Sequence, residues 1–150
     1  MRVILQRVKK ASVMVNNTKR SSIKKGLMIL LGVEHCDDKS DVVWLTKKIC
    51  NLRIFDNEKG IMNKSLLDVK GEVLIVSQFT LHALTKKGNR PSYIKAAKSP
   101  FARKLYEDFI QSMNNYNKKE SKFGSFGENM LVKIENDGPV TIFIDSKNKE

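Results

Sequence analysis

A continuously apolar run at residues 27–33 constrains the fold of this chain more than any other feature. The run is too short to cross a membrane, and its lack of alternation is typical of a buried strand. Residues 72–79 contain a second run of this kind, in which β-branched residues give the strongest strand signal of the sequence. The chain is therefore expected to fold around two buried strands.

Weaker patterns predict the remaining strands. They are expected at residues 2–8, 12–15, 19–25, 53–55, 131–134 and 140–145. Asn16 and Asn17 tolerate the positive φ that a tight hairpin needs. The segment Asn136-Asp137-Gly138-Pro139 contains turn-forming pairs and is predicted to join the last two strands.

Two segments have helical spacing. The apolar positions of the first are Val42, Leu45, Ile49 and Leu52. Those of the second, which are expected to face the core, are Phe101, Leu105, Phe109 and Met113. Asp38 or Ser40 is available to cap the first helix, and the second is expected to open with Ser99 as N-cap and Pro100 as its first residue. The polar residues 114–121 are expected to be exposed.

The order of these elements predicts one α+β domain over residues 1–150, in which two helices cover a mostly antiparallel sheet. No internal repeat or linker divides the chain. Residues 146–150 are mostly charged and are expected to form a flexible tail.

The net charge of +12 is unevenly distributed along the chain. Residues 1–33 contain eight basic side chains and no acidic one, and residues 73–104 are also free of acids. The bases of this second stretch are Lys86, Lys87, Arg90, Lys95, Lys98, Arg103 and Lys104. Such fields attract polyanions, which indicates a nucleic-acid partner, although a lysine-rich surface can also serve solubility alone.

The cysteine and histidine contents limit other classes. Two cysteines make no disulfide framework, and with two histidines they are too few for an ordinary zinc site, so neither a metal nor a cofactor is predicted. Residues 1–8 are interrupted by polar side chains and lack a signal-peptide core. The expected location is the cytoplasm, with no membrane partner.

Ordinary catalytic signatures are missing from the sequence. Two polar clusters remain as candidates for a ligand site. Ser77-Gln78-Phe79-Thr80-Leu81 follows the strongest strand, and Asn136-Asp137-Gly138-Pro139-Val140-Thr141 follows a predicted strand near the end of the chain. Each could equally be a plain turn. Ser77 and His82 could form a hydrolase pair, but no specific Asp completes a triad.

Taken together, the two clusters resemble the paired signature of the D-aminoacyl-tRNA deacylase family. The resemblance extends to residues 1–8, 86–92 and 123–130. It implies a barrel-like sheet and a homodimer that hydrolyses the ester between a D-amino acid, or glycine, and the 3′-terminal adenosine of tRNA. The 2′-hydroxyl of the tRNA assists the attacking water, so no cofactor is implied and no DNA partner is expected.

The resemblance also implies roles for individual residues. The catalytic group is Ser77, Gln78, Phe79 and Thr80: backbone groups around Phe79 and Thr80 cradle the ester carbonyl, and Ser77 and Gln78 shape the adenosine pocket. Met130 belongs to the same wall, and Leu81 is a further substrate-binding residue. A cis Gly138-Pro139 bond enters the active site of the partner subunit, and Asn136 and Thr141 belong to this substrate-binding motif. Arg7 fixes the motif in its orientation. A direct nucleophilic role for Thr80 is the alternative mechanism.

Two other functions compete with this interpretation. A non-catalytic basic RNA-binding module would retain aminoacyl-tRNA without shortening the lifetime of its ester. An esterase for small D-amino-acid esters would act equally well without the tRNA body and would ignore salt.

Overall fold

The structure, a computed structural model, describes residues 1–149. Its strands are β1 (Arg2–Val15), β2 (Thr18–Ile23), β3 (Gly26–Gly32), β4 (Phe55–Asp56), β5 (Met62–Lys64), β6 (Glu72–Ser77), β7 (Lys122–Phe123) and β8 (Met130–Asp145). Its helices are α1 (Lys39–Asn51) and α2 (Phe101–Asn117), and a short 3₁₀ helix, the motif turn, spans Phe79–His82.

The main sheet is organised around β1. Along one edge β1 pairs antiparallel with β3 through its first half and with β2 through its second half, and along the other edge it pairs antiparallel with β8. Beyond β3 the sheet continues through the parallel strands β6 and β7. The result is a mixed, mostly antiparallel sheet that is nearly closed into a barrel, which confirms the predicted α+β class.

Both predicted buried strands are confirmed. On one face of β3 and β6, side chains such as Ile29 and Ile75 pack in a core with the two helices. On the other face, Met28, Leu74 and Val76 pack against the second half of β1. Because both faces are covered, these strands carry no polar alternation, which explains the continuous apolar runs.

The close approach of β3 and β6 depends on Gly26. A Cβ atom at this position would lie 1.9 Å from the backbone carbonyl oxygen of Glu72. A backbone atom has no rotamer by which it could move away, so only glycine allows this pairing.

The predicted strand boundaries are wrong at both ends of the chain. The predicted strands 2–8 and 12–15 are one strand, and 131–134 and 140–145 are also one strand that passes through the predicted turn without reversing. The cause is long-range, because β1 and β8 pair along their whole lengths. Irregular pairing around Val8 absorbs the unmatched residues, as β-bulges do.

Only one of the two helices has an N-cap that the sequence predicted. Of the two predicted cap candidates, Asp38 rather than Ser40 caps α1, and it forms a reciprocal capping box with Asp41. Ser99 does not cap α2, since the helix begins at Phe101 after Pro100 and no side chain bonds its first turn. Phe101 is also 42% exposed, so its predicted place in the core is wrong.

The predicted exposed segment 114–121 is partly buried. Helix α2 continues to Asn117, whose side-chain amide donates to the Gly71 carbonyl at 3.3 Å. Ser121 is also buried, and its backbone N–H donates to Asn114 Oδ1 at 2.7 Å. The Asn117 amide and the Ser121 backbone thus connect this polar segment to the rest of the fold, which polarity alone does not reveal.

The first two residues of the predicted flexible tail contact the rest of the protein. Ser146 is buried and its hydroxyl accepts from the Met1 amino group at 2.7 Å, and Lys147 pairs with Asp41 at 2.7 Å. These contacts connect both residues to the rest of the protein, whereas Glu150 lies outside the described residues. The flexible tail stays a prediction. Within residues 1–149, no helix combines the length and the apolar character that crossing a membrane requires.

Candidate active site

A cavity of about 560 Å³ opens where β6 ends. Ser77, Gln78 and Phe79 form one side of it, and Met130 and Val132 of β8 form another. The opposite wall comes from the start of α2 and its flanking segments, through Tyr93, Lys98, Tyr106 and Phe126. The pocket thus lies between the end of β6 on one side and the start of α2 with its flanking segments on the other.

The motif turn presents backbone donors beside this pocket. Its start is anchored, because the N–H of Gln78 donates to the Leu31 carbonyl of β3 at 2.8 Å. The first N–H groups of any helical turn have no acceptor within that turn. The amides of Phe79 and Thr80 occupy those first positions of the turn.

The side chains of the motif turn form no activated nucleophile. The Thr80 hydroxyl accepts a hydrogen bond from the side-chain amide of Gln78, which is not a base. His82, the imidazole nearest in sequence, is fully buried, and neither of its ring nitrogens has a hydrogen-bond partner among the described residues. The Ser77–His82 pair is therefore not formed.

His82 instead packs beneath the motif turn. Its Nδ1 lies 4.0 Å from Glu34 Oε1, and its ring contacts the position where Gly32 would carry a Cβ. Burial is the largest influence and lowers the pKa of His82 below 6.5; the Gly32 backbone and Glu34 oppose this shift, and the positive charges of Arg2 and the Met1 amino group add to it. A neutral imidazole is therefore favoured here.

The second motif, residues 136–141, lies in β8, along the edge of β1 opposite to β2 and β3. The Asn136 side-chain amide donates to the Arg7 carbonyl at 2.9 Å and to the Val140 carbonyl at 3.2 Å. Gly138 has a φ of +126°, which favours glycine, and the Gly138–Pro139 peptide bond is cis. Gly138 and Pro139 are both exposed. The motif is therefore a backbone projection that is braced from behind.

Arg7 supplies most of this brace. Its side chain is buried, and its Nε donates to the Asp137 carbonyl at 3.2 Å and lies 3.3 Å from Asp137 Oδ2. Its Nη1 donates to the Ile54 carbonyl at 2.7 Å and to Asp56 Oδ1 at 3.0 Å. One guanidinium thus joins β1, the segment that enters β4, and the second motif.

The predicted site residues fall into two separate groups. Ser77, Gln78, Phe79 and Met130 line the pocket, and Thr80 and Leu81 complete the motif turn behind it. The second group is Arg7, Asn136, Gly138, Pro139 and Thr141, the last of which is exposed and accepts from the Gln6 side chain at 3.2 Å. None of this second group lines the pocket within residues 1–149.

Sequence reasoning missed the aromatic part of the pocket. Tyr93 meets Phe79 edge-to-face, with ring centroids 5.1 Å apart. The Tyr106 hydroxyl donates to the Ile75 carbonyl at 3.0 Å, and burial raises the pKa of Tyr106 well above its usual value. Phe126 packs against Tyr106 with centroids 5.5 Å apart. Only Phe126, within the segment 123–130 that carries the resemblance, had a usable sequence signal.

One cluster of metal-type ligands occurs in the described part of the chain, formed by Glu34, Cys36 and Asp37. It does not line the pocket. Asp37 already accepts from the Met1 amino group and, at 2.7 Å, from the Glu34 N–H. Its carboxylate oxygens are therefore committed to the fold.

Solved structures place the fold in a known class. A chain described as a c-Myc DNA unwinding element binding protein superposes with a TM-score of 0.92 at 38% identity, over 97% of this chain and 98% of that one. A structure titled as a probable eukaryotic D-amino acid tRNA deacylase superposes with a TM-score of 0.82 over 95% of this chain and 97% of that one, and its 17% identity supports the fold alone. The class is therefore that of the deacylase-type barrel.

Sequence comparison then gives the family. A family model described as D-Tyr-tRNA(Tyr) deacylase matches residues 4–145. D-aminoacyl-tRNA deacylases of Bacteroides fragilis strain YCH46 and Flavobacterium johnsoniae are 57% and 55% identical to this chain over 150 residues, which is 100% of each sequence. The chain belongs to the D-Tyr-tRNA(Tyr) deacylase family and is a hydrolase.

Proposed function

We propose that this enzyme hydrolyses the ester that joins a D-amino acid to the 3′-terminal adenosine of tRNA, and that it spares L-amino acids. Glycine esters are a second substrate class. The observation that carries the proposal is a pocket edged by the start of the motif turn, together with an exposed Gly138-Pro139 segment that does not line the pocket of its own chain. This is proofreading in translation quality control, and the proposed location is the cytoplasm.

The motif turn acts on the ester carbonyl. Hydrolysis places negative charge on the carbonyl oxygen in the transition state, and the amides of Phe79 and Thr80 lie at the start of the turn where they can donate to it. One such donor is worth roughly 10²–10³ in rate. Ser77, Gln78 and Met130 hold the adenosine, while the tRNA 2′-hydroxyl assists the water, so no protein base and no cofactor are required.

Chirality is read by the second motif of a partner subunit. Gly138 and Pro139 are exposed and do not line the pocket of their own chain, so an identical copy is needed to bring them to it. Backbone carbonyls can accept from an α-ammonium group, and a rigid backbone rejects an L side chain by steric clash. Glycine carries no side chain to reject. Asn136 and Arg7 keep the motif rigid, and the functional unit is a homodimer.

The tRNA body is held by charge. Exposed bases precede the pocket residue Tyr93, namely Lys86, Lys87 and Arg90. We expect these side chains to contact phosphates beside the acceptor end and their contribution to fall as salt is added. RNA rather than DNA is the proposed partner, and no membrane is involved.

The test is parallel deacylation of D-Tyr-tRNA, L-Tyr-tRNA and Gly-tRNA at catalytic enzyme concentration, with D-tyrosine methyl ester as a fourth substrate. Loss of the D and glycyl esters alone, weakened by salt and unaffected by duplex DNA, is the expected result. Equal rates on D and L esters refute chiral proofreading. Equal kcat/KM on the methyl ester favours a small-ester esterase, and tRNA binding without hydrolysis favours a non-catalytic RNA-binding module.

A matched pair of variants tests the backbone donors. Phe79→Pro removes the N–H, and Gln78 (φ −144°, ψ 82°) lies outside the α region that a following proline disfavours. Phe79→Ala removes the ring but keeps the N–H. We expect Phe79→Pro to lower kcat by roughly 10²–10³ relative to Phe79→Ala. Similar kcat values in the two variants would remove the amide from the mechanism.

A mixing experiment tests the cross-subunit site. Phe79→Pro and Pro139→Ala variants are each expected to be inactive, but half-and-half heterodimers contain one site in which both elements are native. Co-refolded mixtures should therefore recover about a quarter of wild-type activity. No recovery above the separate variants would refute a site shared between subunits.

A further inference from the structure

Arg2 belongs to neither motif, yet it is bonded to the motif turn. Its Nη1 donates to the carbonyl oxygen of Leu81 at 3.1 Å. Its Nε donates to Asp145 Oδ2 at 2.8 Å, and the side chain is 27% exposed. The guanidinium is thus oriented by a carboxylate on β8 and points one donor at the turn.

The Leu81 carbonyl lies at the end of the motif turn, where helical carbonyls lack a partner and favour a nearby positive charge. The other end of the turn is fixed by the bond from Gln78 N–H to the Leu31 carbonyl. Beneath it, His82 is wedged against Gly32, where an added Cβ would lie 3.0 Å from the ring. Arg2 therefore supplies a side-chain hydrogen bond to the turn's backbone from outside the turn.

We propose that Arg2 is a positioning residue, which holds the Phe79 and Thr80 amides in the direction that the reaction needs by fixing the Leu81 carbonyl. Arg2 does not line the pocket. Arg7 lies on the same strand and braces the second motif in the same manner. Strand β1 thus sets the position of both halves of the site. This inference rests on the proposed function, since the turn matters only if its amides act on the ester.

The test compares three replacements of Arg2 with two controls. Arg2→Gln and Arg2→Ala remove the charged donor, and Arg2→Lys keeps one charged donor. Asp145→Asn removes the ion pair but leaves Arg2 Nη1 able to reach Leu81. Arg53→Ala removes an exposed arginine whose Nε donates to the Asn63 carbonyl, away from the pocket.

On D-Tyr-tRNA we expect Arg2→Gln to lower kcat by on the order of 10- to 100-fold, as a small misplacement of catalytic groups does, with little change in KM. Arg2→Lys should restore part of that loss, and Asp145→Asn should lose less than Arg2→Gln. Hydrogen exchange should accelerate in the peptide that covers residues 78–83 of Arg2→Gln and stay unchanged in β3 and β6.

Three results would overturn the inference. A rise in KM with kcat intact would make Arg2 a tRNA contact. A loss of kcat no larger than that of Asp145→Asn, with faster exchange throughout the protein, would make it a stability residue. Unchanged kinetics in Arg2→Gln alongside an active wild type would refute the inference alone, whereas an inactive wild type would refute the proposed function first and the catalytic role of Arg2 with it.

Discussion

Replacement of Arg7 by methionine removes a buried cation but keeps a side chain of similar length. The guanidinium donates to the Asp137 carbonyl, the Ile54 carbonyl and the Asp56 carboxylate, so three acceptors lose their partner at once. Hydrogen bonds to a charged group contribute about 1.5–3 kcal/mol each, and the bond to Ile54 is fully buried.

The sum is reduced by solvent. Asp56 is 43% exposed and Asp137 26% exposed, so water and salt replace much of the two ion pairs once the guanidinium is gone. We therefore expect Arg7→Met to lower the free energy of unfolding by about 2–4 kcal/mol, mainly because the buried Ile54 carbonyl loses its charged donor. Arg7→Lys retains the charge and one donor and should lose about half as much.

The assay is urea denaturation followed by the fluorescence of Trp44, the single tryptophan. Arg53→Met, which loses one exposed hydrogen bond, is the matched control and should stay within about 1 kcal/mol of wild type. A loss below about 1 kcal/mol in Arg7→Met, at an unchanged denaturant slope, would show that the brace contributes nothing to stability. The proposed function adds a second readout, since a loosened motif should hydrolyse L-Tyr-tRNA faster relative to D-Tyr-tRNA.

Three further predictions concern His82, Gly138 and Gly26. Because burial lowers the pKa of His82, the unfolded state binds a proton at this residue more readily than the folded state does. The free energy of unfolding should therefore fall as the pH drops below 6.5, by at most about 1.4 kcal/mol per pH unit. His82→Leu should flatten this dependence in denaturation curves taken between pH 5 and pH 7.5 at roughly half-unit steps. Gly138→Ala places a Cβ 3.0 Å from Arg7 Nη2 at a φ of +126° and should lower thermal stability by about 1–3 kcal/mol, which a wild-type melting curve would contradict. Gly26→Ala drives a Cβ into the Glu72 carbonyl and should cost more than any of these or yield insoluble protein, so a soluble variant with wild-type urea midpoint would refute the parallel register of β3 and β6.

The sequence was informative where local chemistry decides the structure. Continuous apolar runs predicted β3 and β6 because both faces of those strands are buried, and Asp38 predicted the start of α1 because the cap is local. The predicted turn at residues 136–139 was wrong because pairing with β1 over a long sequence separation keeps β8 extended through turn-forming residues.

The candidate site also has one part that the local sequence indicates and another part that only the fold brings together. The residues of the two motifs could be named from the sequence because each motif is contiguous, whereas the opposite wall of the pocket comes from Tyr93, Tyr106 and Phe126, which are distant from one another in sequence. Arg2 could be noted only as one more basic residue, since its bond to Leu81 arises from the fold. The separation of the two motifs within one chain also has no local signature.

The pairing of β1 with β8 has a consequence for synthesis of the protein. Arg2 of β1 is matched with Asp145 of β8, so the two strands that meet lie at opposite ends of the described sequence. While the chain is being made, β1 can pair with β2 and β3 early, but its other edge stays open until β8 has left the ribosome. An open edge is a template for pairing with other chains. We therefore expect ribosome-bound chains that stall before Met130 to aggregate more readily than the released protein, because the edge of β1 that β8 covers is still open.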